Sequence, residues 1–290
     1  MSFGVWISGV KYKIKYSQSL AGLINIFKRL SSLNPKGVFL CSPNSRFKGA
    51  YQGKRCFILC NGPSVSKQNL LPLKNEIVFS VSNGYHHKDY LTIQPRFHCV
   101  PKTTCKKYFT VDKAIAWFNE MDKGLGTAEL FLDIAEERLI REKRLFPKRK
   151  INYLYPGIVF SAKSTKPIDI SKIVPSLQSI PIMCLMIAMY MGFKKIYLIG
   201  TDHDSYITGE YKYFYGTKGA PGNEVFMSSD GKIKNLEVER QATQDLMVQY
   251  KIIKRIAENQ GITIYNATLG GALEVFPRVN LDEVLSVKND

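Results

Sequence analysis

The chain has 290 residues, of which 45% are hydrophobic and 22% are charged, and its formal net charge is +17. The first two values are ordinary for a globular protein, and no apolar run approaches the ~20 residues that a membrane-spanning helix needs. The charge is uneven, because the first 75 residues contain twelve Lys or Arg and no Asp or Glu. This asymmetry favours an anionic partner, either nucleic acid or an anionic lipid surface.

The beginning of the chain and its cysteines indicate the compartment. Residues 1–9 contain neither the basic start nor the apolar core of a secretion signal. The six cysteines are scattered and include no CxxC pair, which argues against a structural zinc site. We therefore expect a cytoplasmic protein with reduced, mostly buried thiols.

Residues 1–52 form a predicted basic arm. Apolar and cationic residues alternate over Val10–Tyr16, and apolar residues then recur at helical spacing over Leu20–Leu30. A basic strand beside a short amphipathic helix is typical of a membrane-surface anchor, so residues 1–50 are predicted to bind an anionic membrane surface, peripherally on the inner membrane. The alternative is a helix that packs on the main domain. Residues 35–54, rich in Gly, Ser, Asn and Pro, are predicted to connect the two parts.

Residues 53–290 are predicted to form one α/β domain. Buried-type strands alternate with helices along it, and this alternation predicts a Rossmann-type, mostly parallel sheet with helices on both faces. The long segment 206–236 is predicted to be a lid loop. The predicted strands are 55–60, 77–81, 96–100, 151–160, 194–200 and 262–265, and the predicted helices are 125–146, 180–191 and 236–260.

Polar residues follow three of these strands and precede one helix. They are Asn61-Gly62-Pro63-Ser64, Ser82-Asn83-Gly84, Thr201-Asp202-His203-Asp204, and Ser179 at the start of the helix. Since the carboxyl ends of parallel strands meet at one edge of a sheet, we expect these residues to line a common crevice. The Gly-Pro turn is either a phosphate-binding turn, with N–H groups facing a ligand, or an ordinary βα turn.

In their order and spacing these motifs resemble bacterial sialyltransferases of glycosyltransferase family 42. The same start occurs in the related flagellin-glycosylation and hydroxymethylpterin-diphosphokinase-like group. The resemblance covers residues 53–285 in patches: the Asn61–Ser64 turn, Val81–Gly84, the 179–200 segment, Thr201-Asp202 and Asn266–Gly271.

The resemblance implies a GT-A-like transferase that uses a nucleotide-activated sugar, with sialic acid or a related nonulosonic acid on a CMP donor as the favoured substrate. The residues that it assigns to nucleotide binding are Asn61, Gly62, Pro63, Ser64, Asn83, Gly84, Ser179 and Asp202. Tyrosines of the lid, namely Tyr206, Tyr211 and Tyr213, correspond to those that neutralise the leaving phosphate. The acceptor would be a cell-surface glycan or a lipid-linked saccharide.

The chain departs from the family at the catalytic base, because residues 236–242 contain no histidine. His203 is the predicted substitute, since it follows a strand and lies between two aspartates that would raise its pKa. The alternative is that His203 only makes structural hydrogen bonds. Asp202 and Asp204 also form a DxD pair that suits Mg²⁺ or Mn²⁺.

Two competing functions stay open at this point. A Mg²⁺-dependent diphosphokinase-like transferase of the pterin type would use Asp202 and Asp204 to bind the metal. A non-enzymatic nucleic-acid-binding protein would explain the charge, but no binding motif is recognisable and nucleic acid is not the favoured partner. Whether the chain forms a homo-oligomer is left open.

Overall fold

The computed structural model describes residues 35–103, 110–216 and 227–287. The predicted basic strand and amphipathic helix at residues 10–30 lie outside these ranges, so the membrane anchor and the domain division at residue 52 stay predictions.

Eight strands form one sheet in which every pairing is parallel. Along the sheet the order is β6-β5-β4-β3-β2-β1-β7-β8. The strands are β1 (Arg55–Leu59), β2 (Val78–Val81), β3 (Phe97–Val100), β4 (Glu129–Asp133), β5 (Ile151–Ile158), β6 (Ile173–Pro175), β7 (Lys195–Ile199) and β8 (Thr263–Asn266). The predicted parallel α/β sheet is confirmed.

The α-helices of the described residues differ greatly in length. They are α1 (Pro35–Cys41), α2 (Tyr90–Ile93), α3 (Val111–Gly124), α4 (Glu137–Lys143), α5 (Ile180–Tyr190), α6 (Ser205–Thr208), α7 (Leu236–Glu258) and α8 (Leu281–Ser286). Short 3-10 turns at Pro63–Lys67 and Ser82–His86 follow β1 and β2. None of the helices in the described residues is long and apolar enough to cross a membrane.

The core is divided by the sheet, because consecutive side chains of each strand point to opposite faces. Cys56 and Ile58 of β1 pack with α5 and α7 on one face. Phe57 and Leu59 pack on the other face, where the segments before β2 and α8 contribute. Helix α5 is buried almost all round, since nine of its eleven residues are buried. Helices therefore cover both faces, as predicted.

Residues 35–52 pack against this core. Phe47 lies against Phe97 and Phe131, with ring centroids 6.0 and 5.3 Å apart. The Asn44 side-chain amide donates to the carbonyl oxygens of Tyr153 and Ile170 at 2.8 and 2.9 Å. The predicted connector is thus an ordered part of the α/β unit.

The predicted helix over residues 125–146 is wrong. Its first part forms β4, and only Glu137–Lys143 is α-helical. Leu130 and Leu132 are buried on one face of the sheet and Phe131 on the other. A short apolar run that is buried on both faces resembles one side of a helix in sequence, because periodicity cannot separate the two cases.

Candidate functional site

The crevice lies where the chain changes direction in the sheet. From β1 the chain proceeds to β2 on one side, and it later returns through β7 on the other side of β1. Ligands of open parallel sheets bind at such a switch point, outside the carboxyl ends of the strands. Asn61 follows β1, Asn83 follows β2, and Thr201-Asp202 follows β7. The structure therefore brings three of the predicted polar strand ends to one place.

Asn61 bridges the ends of β1 and β2. Its amide Nδ2 donates to the carbonyl oxygen of Val81 at 3.1 Å. Its Oδ1 is buried and accepts no hydrogen bond, although the residue is only 7% exposed. A Cβ at Gly84 would lie 3.4 Å from this Oδ1, so a glycine there keeps the oxygen accessible. A buried acceptor without a donor is costly, and a bound ligand with an N–H or O–H group would satisfy it.

Asp202 clamps the Asn-Gly-Pro-Ser turn. Its carboxylate accepts hydrogen bonds from the Ser64 backbone N–H at 3.1 Å and from Ser64 Oγ at 2.8 Å. Gly62 lies against the same carboxylate, and its N–H donates to the Gly200 carbonyl at 2.9 Å. Pro63 begins the 3-10 turn that follows. Both Ser64 donors are thus engaged within the chain, so the turn does not present them to a phosphate.

The ionisation of Asp202 reflects this burial. Desolvation raises the pKa of the Asp202 carboxyl, and the two hydrogen bonds from Ser64 oppose the rise. The closing segment of the chain packs on the same residue, because the Ala272 N–H donates to the Asp202 carbonyl at 2.6 Å. A Cβ on Gly271 would lie 2.6 Å from that carbonyl oxygen, and Gly271 also has a positive φ of 75°. The resemblance of residues 266–271 thus falls on a segment that supports Asp202.

The predicted metal pair does not fit a metal among the described residues. Both carboxylate oxygens of Asp202 already accept hydrogen bonds from Ser64. The residues that the structure describes contain no group of three or more His, Cys, Asp or Glu placed to hold an ion. Asp204 stands at the start of α6 and does not cap that helix with its side chain. We therefore derive no chemical step through a metal.

Asn83 is held by a residue that the sequence did not indicate. The indole Nε1 of Trp117, on α3, donates to Asn83 Oδ1 at 2.6 Å. Asn83 is 4% exposed, and its neighbour Ser82 has a positive φ of 47°. This strained backbone turns the chain sharply after β2, so that the Asn83 side chain faces the indole.

His203 lies between β7 and α7 and not in the open crevice. Its Nε2 lies 2.9 Å from the Tyr250 hydroxyl, and its backbone has a positive φ of 49°. Burial lowers the pKa of His203 to about 4. The predicted rise in its pKa is wrong, because desolvation outweighs the neighbouring aspartates. His203 is neutral at pH 7 but weakly basic, which suits a structural hydrogen bond better than proton abstraction.

Ser179 lies on the α7 side of the crevice. It is the N-cap residue of α5, yet its side chain caps no N–H group. Its buried Oγ makes no hydrogen bond within the described residues, although it is near enough to the Tyr250 hydroxyl to influence its pKa. Ser179 Oγ is therefore a second polar atom that a ligand could satisfy.

The lid tyrosines form a row of rings. Tyr211 and Tyr213 have ring centroids 5.2 Å apart, and Tyr213 stacks on Tyr215 at 5.0 Å with an interplanar angle of 11°. Tyr206 lies in α6, which packs against α7. The lid is tied to the crevice through its backbone, because the Phe214 N–H donates to the Asn61 carbonyl at 3.1 Å. The predicted row of lid tyrosines therefore lies beside the strand ends.

Tyr215 is the lid residue that the sequence interpretation omitted. Its hydroxyl is near Asn61 and Asn83, whose side chains lower its pKa against a larger rise caused by burial. The alternation of Tyr211, Tyr213 and Tyr215 over five residues is the signal that could have found it, since an extended segment places such residues on one side. For Tyr250, the signal was a polar hydroxyl on the otherwise apolar face of α7.

A separate groove of about 660 Å³ lies beside edge strand β8 and the end of α7. Its lining includes Lys254, Glu258, Ile264, Glu274 and Arg278. This groove contains none of the predicted site residues. Because parallel sheets bind ligands at their carboxyl edge, we assign the candidate site to the smaller strand-end crevice.

No family model matches the chain, and no curated protein sequence matches it. Among solved structures it is similar to the MAf glycosyltransferase of Magnetospirillum magneticum AMB-1, with 16% identity and a TM-score of 0.47. The aligned part covers 84% of this chain and 38% of that protein, so the chain spans well under half of that protein's length.

Proposed function

We propose that the chain is a glycosyltransferase that binds a nucleotide-activated sugar in the strand-end crevice. The observation that carries the proposal is the pair Asn61 and Asn83 at the switch point of the sheet, with the buried Asn61 Oδ1 unsatisfied. Side-chain amides and hydroxyls recognise bases and sugars through directional hydrogen bonds without adding charge. The Asn61 oxygen requires a donor, which an exocyclic amine of a base or a ribose hydroxyl would supply.

The lid supplies the second requirement of such a transfer. Departure of the nucleotide places negative charge on a phosphate oxygen, and donors held in place for that oxygen lower the barrier. Tyr211, Tyr213 and Tyr215 form such a row of hydroxyls beside Asn61 and Asn83. Tyr206 on α6 is the remaining candidate. Under the proposal, these tyrosines replace the metal that other transferases use.

The finer parts of the proposal concern the substrates. The donor is a CMP-linked sialic acid or a related nonulosonic acid, and the acceptor is a cell-surface glycan or a lipid-linked saccharide. The basic arm at residues 1–50 would hold the enzyme at an anionic membrane surface, where lipid-linked acceptors are found. These statements rest on the sequence resemblance and on the charge distribution.

A thermal-shift screen of the full chain against CMP, UMP, GMP, AMP and ATP tests the proposal. We expect CMP to raise the unfolding temperature more than the other nucleotides, in the absence of Mg²⁺. Asn61→Ala and Asn83→Ala should abolish the shift, while Asn259→Ala, a change of an exposed residue on the far part of α7, should preserve it.

The other outcomes identify the competing functions. A shift with ATP that requires Mg²⁺ would favour the diphosphokinase-type transferase. A shift with oligonucleotides alone would favour nucleic-acid binding. If no nucleotide stabilises the protein, the glycosyltransferase proposal is wrong.

A further inference from the structure

The chain contains four histidines, all within the described residues, and their surroundings differ sharply. His98 is fully buried in β3, and burial lowers its pKa to about 3. His87 is 8% exposed, packs on the Phe214 ring and has a pKa lowered by burial. His203 is bonded to Tyr250. His86 remains, with a side chain that is 38% exposed.

His86 faces a carboxylate across the rim of the crevice. Its Nε2 lies 3.4 Å from Oε1 of Glu120 on α3. A carboxylate at Nε2 favours the tautomer with the proton on that nitrogen, and Nδ1 then keeps its lone pair. An imidazole oriented in this way has the arrangement of a general base.

Helix α3 sets this geometry together with that of Asn83. Trp117 and Glu120 are three residues apart and therefore share one helical face. Their partners, Asn83 and His86, are likewise three residues apart on the turn after β2. One further turn along α3, a Cβ at Gly124 would lie 2.6 Å from the Tyr85 ring, so the glycine permits close contact. The helix thus fixes the nucleotide-binding amide and the histidine as one unit.

His86 also adjoins the lid. Its ring centroid is 5.7 Å from that of Tyr215, whose hydroxyl is near Asn61 and Asn83. The groups that face His86 are Glu120 from α3, Tyr215 from the lid and Tyr85 from its own turn, at a centroid distance of 4.3 Å. An acceptor hydroxyl can approach the exposed edge of this ring from solvent while the donor occupies the crevice.

We propose that His86 is the general base of the sugar transfer and that Glu120 is its positioning residue. Nδ1 of His86 accepts the proton of the acceptor hydroxyl as the hydroxyl oxygen bonds to the anomeric carbon of the sugar. The bond from that carbon to the nucleotide phosphate oxygen breaks, and the nucleotide leaves with the electron pair. The inference rests on the proposed function, and it supplies the base that residues 236–242 lack.

The experiment measures nucleotide release by the full chain from CMP-, UDP- and GDP-linked sugars, with lactose or a membrane lipid extract as acceptor. With the donor that is turned over, His86→Asn should lower kcat at least 100-fold and change the donor KM less than threefold. Glu120→Gln should lower kcat about tenfold and shift the pH profile of kcat, an effect that a merely structural role would not produce. Glu142→Gln, an exposed glutamate on α4, is the matched control and should leave kcat unchanged.

The outcomes separate the two proposals. If no donor is turned over and no nucleotide binds, the glycosyltransferase proposal fails and His86 loses its reaction. If a donor is turned over and His86→Asn keeps more than a tenth of kcat, the assignment of His86 is overturned and the transferase proposal stands. A large loss confined to His203→Asn would likewise overturn it. Thermal unfolding of each variant shows whether a loss of kcat arises from misfolding.

Discussion

Asp202→Asn and Asp202→Ala should affect stability very differently. Asp202 is 7% exposed and accepts two hydrogen bonds from Ser64, at 3.1 and 2.8 Å. Hydrogen bonds to charged groups contribute about 1.5–3 kcal/mol each, so Asp202→Ala should lower the free energy of unfolding by about 3 kcal/mol once the relief of a buried charge is subtracted. Asparagine keeps both contacts, because its oxygen accepts from the Ser64 N–H and its amide donates to the hydroxyl. Asp202→Asn should therefore change stability by less than about 1 kcal/mol.

The pH dependence provides an independent check. Burial raises the folded-state pKa of Asp202 above its ordinary value of 3.8. A group with a raised folded pKa stabilises the fold most at low pH, and that contribution is lost as pH rises through the folded pKa. The stability of wild type relative to Asp202→Asn should therefore fall from pH 4 to pH 7.

Urea unfolding of the three proteins at pH 4, 5.5 and 7 measures both effects. Equal, large losses for Asp202→Asn and Asp202→Ala would show that the negative charge itself is required. That result would refute the hydrogen-bond interpretation of the clamp and would revive a role for Asp202 in binding a cation.

Two further substitutions test the walls of the crevice. Gly62→Ala should destabilise the fold by about 3 kcal/mol, because a Cβ would clash with the Asp202 carboxylate and lie 2.6 Å from the Gly200 carbonyl oxygen, although φ of −62° suits alanine; urea unfolding measures it, and a loss below 0.5 kcal/mol would contradict the packing. Trp117→Phe removes the donor to Asn83 and should weaken nucleotide binding several-fold, with about 2 kcal/mol lost from the core; calorimetric titration measures it, and unchanged affinity would show that the indole does not position the amide.

The central strands were predictable because burial leaves a plain signal in their sequences. The runs that form β1, β2 and β7 are continuously apolar and end at polar or glycine residues, which is typical of parallel strands covered on both faces. The switch point followed from the same strands, since their polar ends share one edge. Asn61, Asn83 and Asp202 were therefore placed together correctly from sequence.

Features that depend on contacts between distant segments were not predictable. Strand β4 was assigned to a helix because the spacing of its apolar residues fits both structures. The pKa of His203 was assigned the wrong direction because its neighbours in sequence are aspartates, whereas its burial against Tyr250 depends on α7, nearly 50 residues away. The His86–Glu120 pair joins segments 34 residues apart, and neither residue stands out in the sequence.

The most direct test is a crystal structure of the full chain with the nucleotide that stabilises it most. The account predicts the base or ribose in the crevice at the ends of β1 and β2, with a donor atom within about 3.2 Å of Asn61 Oδ1 and the tyrosines of the lid beside the phosphate. A nucleotide bound instead in the groove beside β8, with the Asn61 oxygen still unsatisfied, would contradict it.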